Sequence, residues 1–281
     1  LIGAGAVYTS GRRDFATGLI RESDRSHRLR SVKNLRQLVA IIDRGMRRGW
    51  WSGIIAMGVF VGSVLTLVVK MIDEQEGIRE MMESLLEDNV ALEETFTDFF
   101  ALLIAVLIFA YVALIVLKAG TLEIEGFNEL IVATGKPRNA ELLQRILTAC
   151  FQAVIITVVS ALMYATSVYA TTESVDYAHN AMWAVIYHLP GVLAVIGLTA
   201  LVVGVAPRLR HVVWIIPIYT WVISYYGPLL QVPEWMEKTS ILYWGEMSEP
   251  HVIAWIVLCA IAFGGSLIGL TVAKRRDQVM S

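Results

Sequence analysis

The sequence lacks Asp, Glu, Lys and Arg over almost half of its length. Its 23 Lys and Arg and its 25 Asp and Glu all lie outside six long apolar runs. These runs cover residues 51–69, 99–117, 146–170, 183–205, 212–229 and 252–273. Each is close to the ~20 residues that an α-helix needs to cross the hydrocarbon core. Since the runs lack the two-residue alternation of a membrane β-barrel, the sequence predicts an all-α polytopic membrane protein with six transmembrane helices.

Other absences exclude several classes of function. The two cysteines, Cys150 and Cys259, fall inside or at the edge of apolar runs, so neither a disulfide framework nor a zinc site is expected. No Gly-rich phosphate loop, nucleophile elbow or His-Glu-x-x-His element occurs, so we expect a protein that is not an enzyme and has no catalytic residue, metal or cofactor of its own. Without charges at membrane depth, an ion-driven pump is disfavoured.

The Lys and Arg residues outside the runs are distributed unevenly between alternate loops. Loops 10–50, 118–145 and 207–211 and the tail from 274 hold 20 of the 23 Lys and Arg, and the intervening loops hold the other 3. Cytoplasmic loops of membrane proteins carry the excess of basic residues. The sequence therefore predicts a multi-pass protein of the plasma membrane, with both ends of this chain in the cytoplasm.

Three segments outside the runs have a recognisable character. Apolar residues recur at helical spacing among basic ones over 31–48, which predicts an amphipathic connector helix lying on membrane lipids, with a plain juxtamembrane helix as the alternative. The polar, Trp-containing segment 231–248 fits a re-entrant hairpin or an external loop. Residues 1–30 are interpreted as the end of a preceding transmembrane helix and a cytoplasmic linker, followed by a six-helix domain over 31–281.

The loop after the second run contains a short apolar stretch between glycines and a proline. Glu129 to Val132 is too short to cross a membrane and is flanked by Gly126, Gly135 and Pro137. The pattern fits a brief helix, over about 121–138, that docks into a partner protein. A plain connecting loop fits the same residues.

A resemblance to a known family favours the docking helix. The family has a characteristic sequence element between its second and third spans. The matching residues here are Glu123, Gly126, Glu129, Leu130, Ala133, Thr134 and Arg138. The pattern resembles permease subunits of type-2 ABC exporters, in particular the two-halved group of exporters of polyketide antibiotics. The resemblance extends over nearly the whole chain and includes Ala206-Pro207-Arg208 after the fourth run.

The resemblance implies a role for this chain and a set of partners. It implies that Glu123, Gly126, Glu129, Ala133, Thr134 and Arg138 couple the membrane domain to a dimer of ABC ATPase subunits. ATP and Mg²⁺ would bind to that dimer. The chain itself would be the C-terminal half of a permease, completed by a second six-helix half. No nucleic-acid partner is expected.

Polar side chains inside the runs are candidates for a translocation path. They are Gln152, Ser160, Tyr164, Tyr219 and Tyr225. Hydrogen bonding between helices is the alternative for each of them. Since the runs carry no charge, the expected substrate is a hydrophobic or amphipathic small molecule, drug- or antibiotic-like, exported by ATP-driven efflux. The competing functions are a membrane-anchoring or sensory scaffold without transport and, after it, a secondary transporter.

Overall fold

The computed structural model describes residues 35–73, 92–124, 135, 137–245 and 252–275, and its helical character confirms the predicted all-α class. Within these residues the α-helices are α1 (Leu35–Ile42), α2 (Arg44–Asp73), α3 (Leu92–Ile124), α4 (Ala140–Thr172), α5 (Val175–Ile186), α6 (Leu189–Val205), α7 (Ile215–Leu230), α8 (Glu234–Glu237) and α9 (Val252–Arg275). Two 3₁₀ helices cover Pro207–Trp214 and Tyr243–Gly245. The predicted end of a preceding helix, in residues 1–30, lies outside the described residues.

Five segments of the described chain are long and apolar enough to cross a membrane. They are Arg44–Val68, Phe96–Ile124, Ala140–Thr172, Val175–Val205 and Val252–Arg275. The predicted count of six is not confirmed, because the run 212–229 begins inside the 3₁₀ helix Pro207–Trp214 and continues as α7, which has 16 residues. At 1.5 Å per residue α7 is about 24 Å long, shorter than the ~30 Å hydrocarbon core.

Glycines bring α6 and α9 into backbone contact. A Cβ placed on Gly197 would overlap the backbone of Ala262, and one placed on Gly204 would overlap the backbone of Gly269. The step of seven residues from Gly197 to Gly204 on α6 is matched by a step of seven residues from Ala262 to Gly269 on α9. The two helices therefore run in the same direction. The chain between them must therefore return to the end of the bundle where α6 began, and α7 is the longest helix in this return.

The third helix is the centre of the bundle. It packs against α2, α4, α5, α6 and α7, and its residues from Ala101 to Ala119 are largely buried. A helix that is apolar all round is expected either in a core or in lipid. Because α3 packs against both α2 and α4, which also pack against each other, these three helices form one side of the bundle.

Candidate functional site: a charge cluster beside the 124–140 connection

The chain between α3 and α4 contains most of the predicted coupling helix, whose first residues, 121–124, form the last turn of α3. Its flanks are described: Glu123 is half-buried in the last turn of α3, and Arg138 is exposed just before α4. Gly126, Glu129, Ala133 and Thr134 lie outside the described residues. We call the end of the bundle where α3 ends and α4 begins the connection end.

Asn139 ties the connection to another helix. Its side-chain amide donates a hydrogen bond to the carbonyl oxygen of Leu270, at 3.2 Å, near the end of α9. Asn139 stands just before α4 but makes no side-chain cap to that helix. The last residue of the connection is therefore held by α9 as well as by α4.

Four charged side chains meet inside the connection end and form what we call the charge cluster: Asp43, Lys118, Glu141 and Arg145. One carboxylate oxygen of Asp43 accepts a hydrogen bond from Lys118 Nζ at 2.7 Å, and the other accepts one from Arg145 Nη1. Arg145 Nε lies 3.5 Å from Glu141 Oε1. Two formal positive charges thus face two negative ones.

The charge cluster is buried to an unusual degree. The side chain of Arg145 is fully buried, those of Asp43 and Glu141 expose 6% and 3% of their surface, and Lys118 exposes 30%. Removing an ion from water costs several kcal/mol, which only a close partner offsets. The four residues therefore stabilise one another, and deletion of Asp43 would remove a partner from both Lys118 and Arg145.

Local sequence explains how the helices present these groups. Glu141 and Arg145 are four residues apart, so they share the inward face of the first turns of α4. Asp43 is at the joint between α1 and α2, where helical hydrogen bonds continue from Asp43 N–H to Val39 and from Arg47 N–H to Asp43. Lys118 lies six residues before the end of α3. The charge cluster thus joins the α1–α2 joint to both helices that flank the predicted coupling segment.

The charge cluster has unused hydrogen-bonding capacity. Within the described residues, Arg145 Nη2 and Glu141 Oε2 are buried and make no hydrogen bond. Buried polar atoms are nearly always bonded, so these two atoms are exceptions. The burial of Arg145 therefore depends chiefly on the charges of its two carboxylate partners, Asp43 and Glu141.

A polar triad lies two helical turns above Arg145. Trp51 Nε1 on α2 donates to Tyr111 OH at 3.1 Å and to Gln152 Oε1 at 3.0 Å, and Tyr111 OH donates to Gln152 Oε1 at 3.3 Å. The ring of Trp50 stacks on Tyr111 with centroids 6.0 Å apart. Gln152 is therefore part of a closed contact between α2, α3 and α4.

The inward face of α4 continues as a polar stripe. Ser160 bonds to the carbonyl of Thr157, and Tyr164 OH reaches the carbonyl of Thr97 on α3 at 3.2 Å. The opposite face is exposed and apolar. It carries Leu143, Leu147, Phe151, Val154, Val158 and Leu162. Polar groups inside and apolar groups outside reverse the pattern of a soluble protein and suit a lipid environment.

The other two predicted path residues lie on α7. Tyr219 OH is 2.5 Å from Thr239 Oγ1, and the ring of Tyr225 packs on Phe99 with centroids 4.5 Å apart. The structure thus divides the five residues between the α4 interface and α7. Their role in translocation stays a prediction.

The segment after α7 folds back along that helix. Gln231, with φ of 49°, makes the turn. Ser240, fully buried, then bonds to Ser224 Oγ at 2.7 Å and to the carbonyl of Thr220 at 3.2 Å. Since Thr220 lies ten residues before the end of α7 at Leu230, the chain has returned by about 15 Å. Insertion of 231–248 into a bilayer stays a prediction.

Two apolar cavities open on the surface of the bundle. One, of about 670 Å³, lies over Gly45, Gly49 and Gly53 of α2 and is bordered by Phe60 and Leu107. The other, of about 740 Å³, lies between residues 238–244 and α9. None of the five predicted path residues lines either cavity. Both volumes are in the range of small-molecule sites.

Sequence reasoning assigned no role to Asp43, Lys118, Glu141 and Arg145 and did not predict the charge cluster. A signal was present. Asp43 is the only acid among the basic residues of 31–48, and Glu141 and Arg145 stand four residues apart directly before an apolar run. An isolated acid in a basic helix and an ion pair at a span boundary indicate partners within the protein.

Comparison with known proteins identifies the family. No curated protein matches the chain. The family model described as "Multidrug efflux system permease Rv1217c, C-terminal domain" matches residues 36–273, most of the chain and nearly all of the described bundle. The protein therefore belongs to this family of C-terminal domains of multidrug efflux permeases.

Proposed function

We propose that this chain is one half of the membrane domain of an ATP-driven ABC exporter that moves hydrophobic or amphipathic, drug- or antibiotic-like molecules out of the cell. The observation that carries the proposal is the charge cluster at the connection end. It binds the two helices that flank residues 125–138 to the base of α2. Because both flanking helices are bound to α2, a partner protein can displace this short segment without separating it from the bundle.

Several observations support a separate ATPase as the source of energy. The chain carries no phosphate-binding loop, and its apolar runs carry no charge that would serve an ion-driven pump. Residues 123–138 resemble the coupling element of type-2 ABC permeases, which supports an ABC ATPase as the partner. Glu123, Gly126, Glu129, Ala133, Thr134 and Arg138 would face an ATPase subunit on the cytoplasmic side.

The partner half is part of the same proposal. The family is described as a C-terminal domain of a permease, which supports a second six-helix unit beside this one. The two halves would enclose the path, and each would engage one ATPase subunit. Closure of the ATPase dimer on ATP would then move the two connection ends relative to each other.

Co-purification followed by reconstitution tests this function. The permease, purified mildly from its native membrane, should bring with it an ATPase whose hydrolysis rises when both are placed in the same liposomes. Efflux of a hydrophobic dye should require ATP. Dye efflux that follows a proton gradient without ATP would favour a secondary transporter. If the permease brings a protein with it but no dye moves with either ATP or a proton gradient, the result would favour a scaffold.

A further inference from the structure

Asp43 is the shared acceptor for cations from two different helices. Lys118 approaches one oxygen of its carboxylate from α3, and Arg145 approaches the other from α4. Both cations stand close to the connection. Lys118 is six residues from the end of α3 and Arg145 is five residues from the start of α4, so each lies within about 9 Å of the connection along its helix axis.

This geometry makes Asp43 move with the connection. If the connection is displaced, the ends of α3 and α4 move with it, since helices transmit axial displacement. Asp43 must then follow or lose its ion pairs with both Lys118 and Arg145. Because Asp43 immediately precedes α2, its displacement moves the base of that helix.

We propose that Asp43, Lys118 and Arg145 are positioning residues that transmit displacement of residues 125–138 to α2. The inference rests on the proposed ATP-driven function and assigns its transmission step to this charge cluster. Because Asp43 accepts hydrogen bonds from both cations, displacement of either flanking helix acts on the same carboxylate.

Lys118 is the residue to change first. It is the most exposed member of the charge cluster, so Lys118→Met leaves the pairs of Arg145 with Asp43 and Glu141 in place and should fold. Lys118→Arg keeps the charge that Asp43 requires. The matched control is Lys238→Met, which makes the same change at an exposed ion pair with Glu234.

The experiment uses the complete permease with its ATPase in liposomes and measures two quantities. These are the affinity of the ATPase for the permease and the ratio of stimulated to basal hydrolysis. Lys118→Met should lower the stimulation ratio about fivefold or more, the lower range of allosteric coupling, while affinity stays within about twofold. Lys118→Arg should restore most of the ratio, and Lys238→Met should match the wild type. Asp43→Asn, if it folds, should lose at least as much as Lys118→Met.

Each alternative outcome has a distinct meaning. An unchanged ratio in Lys118→Met, beside a wild type that is stimulated, overturns the transmission role and leaves the proposed function standing. A parallel loss of affinity and stimulation in Lys118→Met also overturns it, because the charge cluster would then only shape the docking surface. A wild-type permease that neither binds nor stimulates an ATPase refutes the proposed function itself.

Discussion

The backbone of Gly269 occupies the space that a side chain on Gly204 would need. The same relation recurs at Gly197 and Gly265, where an added Cβ on Gly265 would lie 2.6 Å from the carbonyl oxygen of Gly197. Helices in lipid gain little from apolar burial, so close backbone approach is a main source of their attraction. The α6–α9 pair depends on these glycines.

Neighbouring glycines of α9 should respond in opposite ways to alanine. Gly265→Ala should lower the free energy of unfolding by about 1–3 kcal/mol, because the methyl group forces α6 and α9 apart. Gly264→Ala meets nothing within 4 Å and should be neutral or stabilising by up to about 1 kcal/mol, through helix propensity. Unfolding of the purified protein in mixed micelles measures both. Equal effects would contradict the close approach of α6 and α9.

The polar triad should show measurable coupling between α2 and α4. In a double-mutant cycle, Trp51→Phe and Gln152→Leu should interact by roughly 0.6–1.7 kcal/mol, the range for hydrogen bonds between helices in a membrane. Ser52→Ala is the control for α2, since the exposed Ser52 hydroxyl bonds to the carbonyl of Gly49 in its own helix. Additive effects of Trp51→Phe and Gln152→Leu would mean that their hydrogen bond contributes nothing to stability.

Labelling with an impermeant thiol reagent tests the predicted topology. In a background where Cys150 and Cys259 are replaced by Ser, a cysteine at position 128 should react only from the cytoplasmic side. A cysteine replacing Glu173, which is exposed at the opposite end of α4, should react from outside. Strong external labelling of Asn128→Cys would invert the orientation deduced from the basic loops.

Charge reversal in the predicted coupling helix tests docking directly. Glu129→Lys should place like charges against the ATPase and reduce the stimulation of hydrolysis about tenfold, while membrane insertion is unaffected. The matched control is Glu173→Lys, which reverses an exposed charge at the other end of α4. Stimulation of wild-type size in Glu129→Lys would show that residues 121–138 are only a connecting loop.

The all-α class follows from the sequence because long apolar runs without two-residue alternation predict helices. The packing of those helices does not follow. Both α3 and α9 are apolar all round, yet 67% of the most apolar window of α3 is buried and only 11% of that of α9. Lipid and protein core are equally apolar, so composition does not separate a central helix from a peripheral one.

The charge cluster could not be predicted from the sequence for a related reason. The third apolar run begins at Ile146, directly after Arg145, whereas the burial of Arg145 depends on Asp43, which is far away in the chain. The predicted fifth span differs for a local reason. Pro207 and Pro217 stand near its start, where a proline lacks the N–H that a helix interior requires, and the chain forms a 3₁₀ helix before α7 begins.

The polar inner face of α4 also bears on how the protein is assembled during synthesis. A helix that enters a bilayer alone with Glu, Arg and Gln on one side pays a penalty of about 2.5–3.5 kcal/mol for each charge near the bilayer centre, and less near its ends. Asp43, a carboxylate partner of Arg145, precedes α4 in the chain and is therefore translated first. When α4 is synthesised, the carboxylate that pairs with Arg145, at the base of α2, is therefore already present in the chain. The order of the helices in the gene thus gives the least apolar end of α4 a partner at the moment of its insertion.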